Sequence, residues 1–146
     1  MLKKYHILLI CVFVIAVGGI FFFFRLYQHD MGALTDFVVS YTAYDTAVSD
    51  YSIRQMGDTE SRADIALNKL TAKSAFTLSS LIKHEREAMT RAREVADLSR
   101  RELDSLKAYK QALRDAGPDA DTLAKEYSGL SGNRKAAYAA FQALGR

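Results

Sequence analysis

Between Ile7 and Phe24 the chain runs for eighteen residues, ILLICVFVIAVGGIFFFF, without a charge or a strongly polar group. A helix of that length rises about 27 Å at roughly 1.5 Å per residue, close to the roughly 30 Å hydrocarbon core of a bilayer. Lys3 and Lys4 stand before the run and Arg25 after it, with Tyr5 and Tyr27 where interfacial aromatics belong. The expectation is a single transmembrane helix over 7–27, after a short basic tail at 1–6. Ile7, Phe13, Ile20 and Phe24 are its anchor residues, and the bilayer is its first partner.

The run is longer than the apolar region of a cleaved signal peptide, about 7–15 residues, and no small-residue cleavage site follows it. Cys11 is preceded by Ile10 and followed by more apolar sequence, which does not fit a lipoprotein signal. The positive charges before the run, set against Asp30 and Asp36 after Arg25, predict a cytoplasmic N-terminus. Residues 31–146 are then expected as a periplasmic or extracellular domain. The cysteine-free body agrees with an oxidising compartment.

The net charge of +3 is concentrated near the N-terminus, since residues 31–146 carry 17 Lys and Arg against 16 Asp and Glu. No basic face suited to phosphates stands out, so nucleic acid is not an expected partner. One Pro and six Gly punctuate residues 31–146 sparsely. Helices are expected over about 32–56, 59–116 and 119–144, broken at Gly57-Asp58 and Gly117-Pro118. A bend near Ser74 to Ser80 is allowed by weak helix formers, and Gly129 and Gly132 are placed to split the last helix. No useful strand-like alternation occurs.

The first body helix carries Leu34, Phe37, Tyr41, Tyr44, Val48 and Tyr51 at alternating steps of 3 and 4. The second carries Leu78, Ile82, Glu85, Met89, Ala92, Ala96, Ser99, Leu103, Leu106, Lys110 and Leu113, and the third Leu123, Tyr127, Leu130, Ala137, Tyr138, Phe141 and Leu144. Glu87 with Arg91, and Asp97 with Arg101, stand in the favourable i,i+4 order. Phe37, Tyr41, Tyr44, Tyr51, Met89, Leu103 and Leu106 form a candidate interaction stripe, although its aromatic members read first as a half-exposed core seam.

The predicted fold class is all-α: a single membrane helix followed by an elongated antiparallel helical hairpin or coiled-coil bundle. With segment two straight, the stalk would reach roughly 85 Å at about 1.5 Å per residue. Two helices in contact leave apolar surface uncovered, which predicts a homo-oligomer or docking onto another membrane or envelope protein. In outline alone the order of elements resembles phage inner-membrane spanins and four-helix chemoreceptor sensor domains, with no shared motif.

No catalytic set is legible. Leu81 stands three residues before His84, so the Glu-x-x-His of a bundle di-metal site is missing there. No nucleophile elbow surrounds any Ser, and the glycines at 129 and 132 lack phosphate-loop spacing. The sequence therefore predicts no enzyme, no cofactor and no metal. It points to a structural or accessory interaction protein, or alternatively to a binding module that recognises a small ligand or peptide through its Tyr-rich first helix.

Overall fold

The computed structural model describes residues 2–54, 57–115 and 117–144, and the side chains of these except 2–9 and 57. Four helices follow in order: α1 (Leu2–Ile53), α2 (Gly57–Ser74), α3 (Glu85–Arg114) and α4 (Ala120–Ala143). No strand occurs among the described residues.

The apolar run and the first body helix are one element. α1 has 52 residues and spans about 78 Å at roughly 1.5 Å each. Neither Gly18-Gly19 nor Gly32 interrupts it, and the boundary expected at residue 31 falls inside the helix. The segment contains no Pro to break it, and the hydroxyls of Thr35, Ser40, Thr42 and Thr46 are satisfied within the helix, each donating to the carbonyl four residues back.

The single helix expected over 59–116 is two helices. α2 stops at Ser74, whose hydroxyl donates to the Thr71 carbonyl at 2.8 Å. Residues 75–84 leave helical geometry, and α3 begins only at Glu85. Three contacts hold this loop. Leu78 is buried, Phe76 packs edge-on against Phe37 with centroids 6.0 Å apart, and Asp30 of α1 accepts from Ser79. His84, at φ 59°, takes a left-handed conformation immediately before α3. Tertiary contacts thus convert the sequence's weak helix formers into a reversal.

The reversal changes the architecture. Lys73 meets Asp36 at 2.7 Å, Lys107 meets Asp64 at 2.7 Å, and Lys110 donates to the Arg54 carbonyl. Tyr44 reaches Ser99, and Phe141 reaches Phe37. These pairings run α2 antiparallel to α1, α3 parallel to α1, and α4 antiparallel to α3. The body is an up-down-up-down four-helix bundle, not a long two-helix stalk. Its α1 portion, residues 30–53, is about 36 Å long at roughly 1.5 Å per residue.

α4 is continuous through Gly129 and Gly132 instead of splitting there. Asp58 and Thr59 lie within the first turn of α2, because the helix starts at Gly57. Arg91 pairs with Glu94 at 2.8 Å, a spacing of three, where the sequence suggested Glu87.

Candidate functional site: the Arg134 cluster and the basal cleft

The interaction stripe lies inside the bundle. Phe37, Tyr41, Tyr44, Tyr51, Leu103 and Leu106 are buried by the chain's own helices, and Met89 packs half-buried against them. Full burial of one such side chain stabilises the fold by roughly 1.5–3 kcal/mol. α1 and α4 meet through their large rings. Tyr41 stacks on Tyr138 with centroids 3.5 Å apart, and Phe37 meets Phe141 edge-on at 4.8 Å.

Between these rings sits a charged cluster that the apolar stripes do not include. Arg134 is 1% exposed and Glu102 0%. Arg134 Nε lies 2.6 Å from Glu102 Oε2, a close ion contact without hydrogen-bond alignment. The other guanidinium nitrogens donate to the Tyr41 hydroxyl at 2.7 Å and to Asp45 Oδ1 at 2.6 Å. The Tyr44 hydroxyl donates to the Ser99 carbonyl at 2.6 Å and lies 3.1 Å from Glu102 Oε2. Four side chains from α1 and α3 thereby fix one from α4.

The electrostatics are coupled. Burial alone would disfavour a charged guanidinium, but Glu102 and Asp45 reverse this and hold Arg134 above its ordinary value. Burial, and then the Glu102 carboxylate, push the Tyr44 phenol far up. Tyr41 is pushed up to about 12, by burial first, with Arg134 opposing. The phenols therefore act as neutral donors and acceptors at neutral pH. With the acid held by an arginine, the cluster's evident chemistry is positional: it sets the register of α1, α3 and α4.

Sequence reasoning passed over these residues because they are charged, yet the spacing contained them. Leu130, Arg134, Ala137 and Phe141 follow steps of 4, 3 and 4, and so does Val95, Ser99, Glu102, Leu106. Both sets are buried. A charge that completes an apolar stripe was the available signal.

A second feature lies at the end of the bundle nearest the apolar run. An open cleft of about 550 Å³ is lined by His29, Ala33, Asp36, Lys73, Phe76 and Thr77. Asp36 and Lys73 pair across it, and this contact, through its hydrogen bond first, holds the Asp36 carboxyl below its ordinary value. At the same end of the bundle, Asp30 is 1% exposed and accepts from both the backbone N–H and the hydroxyl of Ser79. Burial pulls its pKa up, but the Ser79 bonds and the neighbouring His29 outweigh this and leave it lowered.

Phe13, Ile20 and Phe24 project outward from α1, between 57% and 70% exposed, and no neighbouring helix covers them. Ile7 belongs to α1, and its side chain lies outside the described ones. α1 is long and apolar enough to cross a membrane. His84 is exposed and lies 3.8 Å from Glu87, and no group of three or more metal-ligating side chains occurs among the described residues. Comparison with known proteins finds no matching family model, no matching curated protein and no matching solved structure.

Proposed function

We propose that this is a single-pass membrane protein that acts as a structural or accessory subunit in a membrane or envelope complex. Its N-terminus is cytoplasmic and its bundle periplasmic or extracellular. The observation that carries this reading is the continuity of α1, whose outward-facing apolar residues lead without a break into the bundle core. An anchor and a folded module that share one helix hold the module at a fixed height and orientation. That geometry serves assembly. The distribution of Lys3, Lys4, Arg25, Asp30 and Asp36 supports the orientation.

The fold closes its own core, so uncovered stripes no longer argue for a partner. The exposed apolar residues at the far end do. Ile53 ends α1 at 78% exposure and Leu113 lies near the end of α3 at 49%, both close to where Lys110 meets Arg54. This tip is the surface for a second copy or for another membrane or envelope protein. The hydroxyls of Tyr41, Tyr44 and Tyr51 are all engaged within the bundle. Recognition of a small ligand or peptide by that helix thus has no free phenol to use.

The test is purification of the full-length protein from native membranes in mild detergent, with mass and stoichiometry. A homo-oligomer or a partner in fixed ratio is expected, and Ile53→Asp with Leu113→Asp should abolish it while the bundle still unfolds as wild type. A monomer without a partner would remove the proposal.

A further inference from the structure

We propose that the loop at 75–84 is a second point of contact with the bilayer, lying in the headgroup layer with Leu81 turned to the acyl boundary. The inference rests on α1 crossing the membrane as read above.

Two independent pairings set the height of the loop. Ser79 is bonded to Asp30, six residues beyond Phe24, the last residue of the apolar run. Six helical residues rise about 9 Å at roughly 1.5 Å each. From the other side, Tyr44 pairs with Ser99, and α3 runs parallel to α1. Counting back fourteen residues along each helix brings the start of α3, Glu85, to the level of Asp30. The chain between these two marks, which holds Leu81, therefore turns at the membrane-facing end of the bundle. The headgroup layer on each side of a bilayer is roughly 5–8 Å thick, and an average tilt of roughly 20° lowers one edge of the base into it.

The residues at that level suit an interface. Leu81 is 42% exposed, although Leu78 beside it is buried and Ile82 packs against the core. On α1 the same zone holds Tyr27 at 49% and Met31 at 42% exposure. An isolated exposed leucine needs no explanation by itself. One held at the height of the lipid surface by a buried aspartate is differently placed. The nearby charges oppose one another, Lys83 and Arg86 against Glu85 and Glu87. The contact is therefore apolar and does not depend on anionic lipid. A weak contact suffices, because the anchor already holds the loop at high effective concentration beside the membrane.

The experiment uses the full chain with Cys11→Ser, reconstituted in phosphatidylcholine vesicles. Single cysteines replace Phe22, Leu81 or the exposed Ile65 of α2, and each carries a nitroxide. Collision with oxygen and with a water-soluble nickel chelate then reports depth. The expected order is Phe22 deepest, Leu81 at the interface and Ile65 in water, unchanged when phosphatidylglycerol is added. A Leu81 label as open to nickel as the Ile65 label, with Phe22 still in lipid, would overturn the loop contact and leave the anchor standing. Nickel access at Phe22 as well would overturn the anchor and the inference together. A Leu81 depth that arises only with phosphatidylglycerol would overturn the apolar contact. As a second variant, Leu81→Asp should unfold as wild type but show faster amide exchange across 77–84 in vesicles; equal exchange would also overturn the proposal.

Discussion

Arg134 on α4 and Glu102 on α3 stand with Nε and Oε2 2.6 Å apart, both closed to solvent, at positions where the apolar stripes of their helices would place a leucine. Desolvating two charges costs several kcal/mol, which mutual attraction offsets only if the remaining polar atoms find partners. Arg134 has them in Tyr41 and Asp45. Glu102 Oε1 is buried with no hydrogen-bond partner among the described residues.

Removing one member of this pair strands the other. Glu102→Leu alone, or Arg134→Met alone, should destabilise the bundle by about 3–5 kcal/mol. The double variant should recover most of the loss, because Asp45 is half-exposed and Tyr44 keeps its bond to the Ser99 carbonyl. Thermal unfolding followed by circular dichroism, arranged as a double-mutant cycle, measures this. Additive losses would mean that the pair is not coupled.

The tyrosine hydroxyls should rank by enclosure. Tyr44→Phe removes the hydroxyl that donates to the Ser99 carbonyl and lies against Glu102 in a sealed site, at a cost of about 1–3 kcal/mol. Tyr51→Phe loses only a 3.2 Å contact to a partly exposed Glu60 and should cost about 0.5–1.5 kcal/mol. Chemical denaturation of the two variants in the same detergent gives the comparison. Equal losses would count against the ranking.

The same burial makes the fold sensitive to alkali. Tyr41 and Tyr51 are pushed up to about 12 from 10.0, by burial in each case, with Glu60 adding to Tyr51. A phenol whose folded pKa is raised is protonated in the folded state where the unfolded chain has begun to ionise. The stability linked to it is therefore complete below pH 10 and falls as the pH rises from 10 through 12. Phenolate absorbance and helicity, followed together, should change in step over that window for the buried tyrosines. Ionisation of all eight tyrosines near pH 10 without loss of helix would contradict the arrangement.

Gly129 and Gly132 offer a gain. Both lie within α4, and a methyl group added at either would meet nothing within 4 Å. Gly129→Ala and Gly132→Ala should each stabilise by about 0.5–1 kcal/mol, through the lower conformational entropy of the unfolded chain. An upward shift of the unfolding midpoint in each single variant is the expected reading. A downward shift would show that these glycines serve a close contact with another molecule.

The all-helical character and the apolar N-terminal helix were legible from residues alone, because both rest on local rules. Eighteen uncharged residues and stripes at steps of 3 and 4 mean much the same in any context. The break at Gly117-Pro118 was legible for the same reason. The break at 75–84 was legible only as an allowed bend near Ser74 to Ser80, since Ser, Thr and Phe are only mildly poor in helices. Asp30, forty-nine residues before Ser79, decides it by accepting that residue's backbone N–H. Gly129 and Gly132 show the converse: burial of one face of α4, at Leu130 and Arg134, carries the helix through residues that alone would weaken it. The sequence by itself therefore determined helix content, stripe positions and the candidate membrane span. Tertiary structure alone decided that α2 and α3 fold back into a closed bundle, that a buried Arg134–Glu102 pair sits among its aromatic rings, and that residues 75–84 return to the level of Asp30. Those outcomes depend on contacts between residues far apart in the chain, whose energies no local propensity contains.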